Sequence, residues 1–85
     1  MKKEIEILEN AYTYYQASNQ AFDTMKEFEE ENDSEMAHTM WAIVCEETGK
    51  ARGLLEAYEI MTGKSLYEWE IRDELERIAD VNCIA

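Results

Sequence analysis

The chain contains no proline, only three glycines, two cysteines and one histidine in 85 residues. The scarcity of proline and glycine favours long uninterrupted helices. One histidine is too few for most metal sites, and it has no identifiable partner residues for a catalytic triad. Two distant cysteines, Cys45 and Cys83, do not make a disulfide framework, so we expect reduced thiols, one buried and one near a frayed end. The length allows one small core, without a second domain or a cofactor-binding fold.

Basic residues are also scarce, because eight lysines and arginines face twenty acids and leave a formal charge of -12. Repulsion from phosphate disfavours direct binding to nucleic acid or to an anionic membrane, so a charge-driven partner must be basic. The opening lysines, Lys2 and Lys3, are followed by Glu4 and Glu6, which interrupt the apolar stretch of an export signal. We therefore expect a cytoplasmic protein without a transmembrane segment.

A first helix is predicted over residues 4–31, where neither glycine nor proline occurs. Its apolar or small residues recur at alternating steps of four and three, the spacing of one helix face. These residues are Ile7, Ala11, Tyr14, Ser18, Ala21, Met25 and Phe28. The polar run Asn32, Asp33 and Ser34 then supplies a break and a cap for the next helix.

A second helix is predicted over residues 35–62, ending at Gly63, which can adopt the left-handed conformation common after helices. Its inner face comprises Met40, Val44, Glu47, Ala51, Leu54, Tyr58 and Met61. If the two helices form an antiparallel hairpin, facing residue numbers add to about 65. This register places large residues opposite small ones, such as Tyr14 opposite Ala51, and so supports the hairpin.

The third helix is predicted over residues 65–82, because Ser65 and Glu68 have the spacing of a capping box. Its apolar residues are Leu66, Trp69, Ile71, Leu75, Ile78, Ala79 and Val81, and its acids and arginines, including Glu74, are placed on the solvated side. The predicted fold class is all-α, a long antiparallel hairpin with the third helix packed on it. A break at Gly49 would give four helices instead of three.

Two carboxylate patterns raise the possibility of metal chemistry. Glu35 and His38 have the spacing that places two ligands on one helix face, but a di-iron bundle needs a second such motif and two further glutamates. The pair Glu56 and Glu59, followed by Glu70 and Asp73, resembles a shortened magnesium-binding pattern of all-helical nucleotide pyrophosphohydrolases. That resemblance implies a metal-dependent hydrolase. We rank it as a second alternative, and the leading prediction has no catalytic residue, no metal and no cofactor.

Two stretches without charge, residues 10–22 and residues 36–45 with His38 neutral, stand out in this acidic chain. A helix that is neutral on all sides is either buried on all sides or meets a partner. One explanation is coverage by the third helix. The other is self-association as a homodimer, with the following candidate contact residues: Tyr12, Tyr15, Gln16, Asn19 and Trp41.

Acidic residues crowd the turn of the predicted hairpin. They are Glu27, Glu29, Glu30, Glu31 and Asp33, called the acidic tip below. A ridge of negative charge on rigid helices can occupy a basic groove in place of nucleic acid. The leading prediction is therefore a non-catalytic interaction module, most specifically a small phage-type inhibitor of a basic nucleic-acid-binding protein or nuclease. The first alternative is a structural or adaptor homodimer whose charge only maintains solubility.

Overall fold

The computed structural model describes residues 2–84, and the side chains of residues 2–81. The chain forms α1 (Lys2–Glu30), α2 (Ser34–Thr62), a short 3-10 turn (Glu68–Glu70) and α3 (Ile71–Ile84). The described residues span 53 × 23 × 16 Å, so the molecule is long and thin. The all-α fold with a long helical hairpin and a third packed helix is confirmed.

The turn between α1 and α2 occupies three residues and depends on Asn32, which has a φ of 60°. Asparagine tolerates this left-handed conformation better than most residues with a side chain. The Asp33 amide donates to the Phe28 carbonyl over 2.8 Å, which closes the end of α1. The Asp33 carboxylate then accepts a hydrogen bond from the Met36 amide over 3.1 Å and caps α2.

We expect Asn32→Val to lower the free energy of unfolding by about 1–2 kcal/mol, because a β-branched residue is strained at positive φ. Asn32→Gly should stay within about 0.5 kcal/mol of the unsubstituted protein, since glycine adopts this conformation freely. Urea denaturation followed by circular dichroism measures both values. Equal stability of the valine and glycine variants would show that the turn tolerates another conformation.

Contacts across the hairpin confirm the predicted register. The Ser18 and Thr48 hydroxyls form a hydrogen bond of 2.7 Å, and the Lys50 ammonium lies 5.4 Å from the centre of the Tyr14 ring. The residue numbers of these pairs add to 66 and 64, on either side of the predicted 65. Buried small residues line the contact and let the helix backbones approach: Ala11, Ser18, Ala21, Ala37 and Ala51.

The second helix continues unbroken through both internal glycines, so the four-helix alternative is wrong. Apart from its chain neighbours and the adjacent backbone of α2, a Cβ atom at Gly49 or Gly53 would meet no described atom within 4 Å. Within the described residues these glycines therefore lie on an open helix surface. The helix ends as predicted at Gly63, whose φ is 75°.

The third helix begins at Ile71, six residues later than predicted. No helix follows Ser65 directly; instead, the Tyr67 amide donates to the Glu70 carboxylate over 2.8 Å, in a capping contact two residues further along. The Glu68 carboxylate is buried and binds Arg52 of α2 over 2.5 Å. This ion pair holds the segment against α2, so the chain turns into helix only after it.

The apolar face of α3 also differs from the prediction. Ile71 and Ile78 are buried and Leu75 is half-buried, whereas Trp69 and Val81 are exposed. The core joins α3 to the open end of the hairpin, and its buried members are Leu8, Ala11, Leu55, Tyr58, Ile71 and Ile78. Consequently α3 covers the end of the hairpin far from the turn, and the half nearer the turn consists of two helices.

Candidate partner-binding surface

The acidic tip lies where α1 ends and α2 begins, at the two-helix end of the molecule. Glu27, Glu29, Glu30 and Glu31 are exposed, and none has a cation within ion-pair distance among the described side chains. The nearby lysine, Lys26, lies instead over the Phe22 ring, 4.7 Å from its centre. The tip therefore presents negative charge that the described chain leaves unneutralised.

The four glutamates contribute little to the local fold. They lie in or next to the last turn of α1, where the helix dipole is negative and no basic residue is present. Negative charges at this end of a helix are unfavourable. Asp33 differs from them, because its carboxylate caps α2. The structure thus divides the predicted acidic tip into one capping residue and four glutamates that have no ion-pair partner among the described side chains.

A groove of about 600 Å³ opens beside the acidic tip. It is lined by Met25, Glu29, Asn32, Ser34, Ala37, His38 and Trp41. The Trp41 side chain is 47% exposed although its ring is one of the largest apolar groups in the chain. Glu29 belongs both to this groove and to the acidic tip, so charge and aromatic surface meet at one place.

This combination suits a basic segment that carries an apolar side chain. Tryptophan is among the residues that most often dominate binding energy at protein interfaces, since it buries a large rigid surface. Surrounding carboxylates steer a basic partner and set its orientation. The groove was not predicted from the sequence, because Trp41 was assigned to self-association and not to the surface beside the tip.

The other predicted self-association residues lie in different environments. Tyr12 and Tyr15 are half-buried and pack against the core that contains α3. Gln16 and Asn19 are exposed. The neutral stretches are therefore covered only in part. The core that α3 shares extends to Tyr12 and Tyr15, but Trp41 stays exposed.

Two buried carboxylates were not predicted and form the polar contacts of the α3 end. Glu74, placed by the sequence pattern on the solvated side of α3, is only 3% exposed. Its Oε2 atom binds Lys64 over 2.6 Å and accepts a hydrogen bond of 3.5 Å from the Tyr58 hydroxyl, and its Oε1 atom binds Arg77. The pattern of α3 alone could not identify Glu74 as buried, because Lys64, which binds it, lies in the preceding loop.

These surroundings shift the pKa values of the two acids. Burial alone raises the pKa of Glu74, but hydrogen bonds from Lys64 and Arg77 outweigh burial and leave the pKa below its usual value. Burial likewise raises the pKa of Glu68, but the Arg52 hydrogen bond, a backbone hydrogen bond and the Arg52 charge together outweigh burial and leave the pKa below its usual value. Burial, followed by the charge of Glu74, raises the pKa of Tyr58. Both acids are held ionised in structural ion pairs: Glu68 attaches the segment before α3 to α2, and Glu74 attaches α3 to the loop that precedes it.

The candidate metal ligands do not converge in the part of the chain that the structure describes. Glu56 and Glu59 line a groove near Tyr67, whereas Glu70 and Asp73 line a separate one near Lys64 and Arg77. Glu35 and His38 are exposed on the first turns of α2. Among the described residues, no three histidine, cysteine or acidic side chains are placed to hold a metal ion.

The exposure of Cys45 corrects another prediction. Its thiol is free and exposed, not buried, because Val44 occupies the inner face of α2 and the next residue turns outward. The side chain of Cys83 lies outside the described residues.

The acidic tip and the adjoining groove are identified only from the positions and charges of their residues. No helix in residues 2–84 combines the length and apolar character needed to cross a membrane. No known family, curated protein or solved structure matches the chain.

Proposed function

We propose that this chain is a non-catalytic protein-interaction module that binds a basic partner through the acidic tip and the adjoining Trp41 groove. The observation that carries the proposal is the position of four exposed glutamates, without ion-pair partners in the described part of the chain, beside a half-exposed tryptophan. The carboxylates attract and orient the partner, and Trp41 supplies the apolar contact.

The most specific form of this proposal is a small phage-type inhibitor of a nucleic-acid-binding protein or nuclease. Double-stranded DNA carries one negative charge per about 1.7 Å of its axis, and proteins that bind it present lysine and arginine to those charges. Glu27 and Glu30 lie three residues apart on α1, a spacing at which side chains are neighbours about 5–6 Å apart, and Glu31 follows directly after the helix. This dense negative charge on a rigid helix supports competition with nucleic acid for a basic groove.

The test compares two variants with the same change in net charge. The tip variant carries Glu27→Lys, Glu29→Lys and Glu30→Lys; the control carries Glu6→Lys, Glu9→Lys and Asp80→Lys, all exposed acids at the opposite end. We expect the tip variant to bind its partner about 10- to 100-fold more weakly and the control to change binding much less. Quantitative pull-down from a native lysate identifies the partner, and calorimetry with the purified partner measures affinity.

Salt dependence and fluorescence provide two further measurements on the same complex. Binding through exposed charges should weaken as salt rises, because charges are screened over about 8 Å at physiological ionic strength. In a Trp69→Phe background Trp41 is the remaining tryptophan, and partner binding should shift its emission. Equal loss of binding in the tip and control variants, or unchanged Trp41 emission on saturation, would contradict the proposed surface.

A further inference from the structure

One flank of the hairpin is uncovered along its length by the described chain. Here the neutral flank means the side on which α1 contributes Asn10, Tyr14, Ala17, Thr24 and Phe28, and α2 contributes Met36, Met40, Ile43, Leu54 and Met61. On each helix the steps between these residues are three, four, or sums of three and four, so the residues share one side. The Lys50 ammonium over the Tyr14 ring shows that the two sets lie on the same side of the hairpin.

The third helix packs on the opposite flank. Ile71 and Ile78 share a core with Leu8 and Leu55, and the half-buried Tyr12 and Tyr15 pack against that core. The neutral flank therefore keeps large apolar side chains in contact with solvent: Met36, Ile43 and Met61 are each exposed. An apolar strip of this length on a thin molecule is a feature of interaction surfaces.

The charge of this flank distinguishes it from the rest of the protein. From Asn10 to Phe28, α1 contributes no charged side chain to it. On α2 the charged residues of this side are Glu47 and Lys50, which form an ion pair of 3.4 Å. Lys50 lies equally close to Glu46, an exposed carboxylate at the edge of the flank. The residues of the flank thus sum to no net charge, with one carboxylate, Glu46, at its edge, in a chain whose formal charge is -12.

From this neutrality we infer that the neutral flank binds a second copy of this chain. Two molecules of charge -12 repel each other, and the repulsion is least where neither presents net charge. Two hairpins packed on this flank form a four-helix core, which gives the two-helix half near the turn the third and fourth helices that it lacks. The α2 part of the flank is about 38 Å long, and two helices side by side are about 20 Å wide. The contact area of each protomer therefore approaches the value of about 800 Å² per partner that is typical of stable interfaces.

This assignment replaces Tyr12 and Tyr15 as the self-association residues, since both already pack within the protomer. It also leaves the proposed partner site free. Trp41 and the groove beside the acidic tip lie on the other flank of α2, about 140° around the helix from Met36, so a dimer can still bind a basic partner. The inference does not depend on the proposed function.

The experiment measures mass in solution by light scattering and sedimentation equilibrium over a range of concentrations. We expect the full chain to reach twice its 10.0 kDa mass. Ile43→Glu, on the neutral flank, should raise the dimer dissociation constant at least tenfold. The matched control Ile60→Glu makes the same substitution at a more exposed position outside this flank and should leave the constant unchanged. Circular dichroism verifies that both variants are folded, and Met36→Glu replaces Ile43→Glu if that variant is not.

Salt separates this inference from the proposed function. Raising the salt concentration screens the repulsion between two acidic chains and should strengthen the dimer, whereas it should weaken binding through the acidic tip. A single-chain mass at all concentrations and salt levels would overturn the inference without affecting the partner site. So would a dimer that Ile43→Glu and Ile60→Glu weaken equally, which would place the contact elsewhere.

Discussion

Ile71→Ala is expected to lower the free energy of unfolding by about 2–5 kcal/mol, as truncation of a fully buried isoleucine typically does. Ile71 is the first residue of α3, has no exposed surface and packs in the core with Leu8 and Tyr58. The substitution removes apolar contacts from the core that α3 shares with α1 and α2. Urea denaturation followed by circular dichroism measures the change.

The matched control for this prediction is Ile60→Ala, which removes the same atoms from a side chain that is 86% exposed. Its effect should stay within about 0.5 kcal/mol, as for most surface substitutions. Similar losses for the two variants would mean that α3 is not anchored through Ile71.

The double substitution Lys64→Met and Arg77→Met should lower the melting temperature by about 10 °C or more at pH 7. Both cations bind Glu74, whose side chain is almost fully buried. Removing both cations leaves a buried carboxylate without an opposite charge, and an uncompensated buried charge is strongly destabilising. Differential scanning calorimetry measures the shift. The control Arg72→Met disrupts an exposed pair with Glu76 and should change the melting temperature little.

Acidification should reduce the difference between the native protein and the double variant. In the native protein the pKa of Glu74 lies below its usual value, so its stabilising contribution is complete above the unfolded pKa of about 4.3 and declines as the pH falls through the folded pKa. In the variant burial acts unopposed and raises the pKa of Glu74, so protonation relieves the penalty. The two melting temperatures should therefore converge towards pH 4. Divergence on acidification would show that Glu74 is not the group responsible.

The helical hairpin could be predicted from the sequence because the features that produce it are local. The absence of proline and the steps of three and four residues favour two long helices, and Asn32, Asp33 and Gly63 mark their limits through their own conformations and hydrogen bonds. The facing register followed from the position of the turn, and the large residues that it places opposite small ones supported it. The acidic tip is likewise a local cluster beside a predictable turn, and its exposure was expected for that reason.

Tertiary structure decided the position of α3 and everything that depends on it. Ser65 and Glu68 have the local spacing of a cap, but the contact of Glu68 with Arg52, sixteen residues earlier, outweighs it and delays the helix to Ile71. The burial of Glu74 likewise depends on Lys64, which lies outside its own helix. Helical periodicity specifies which residues share a face, but not which face a later helix covers. Only the packed structure therefore distinguishes the covered tyrosines from the open neutral flank and from the Trp41 groove.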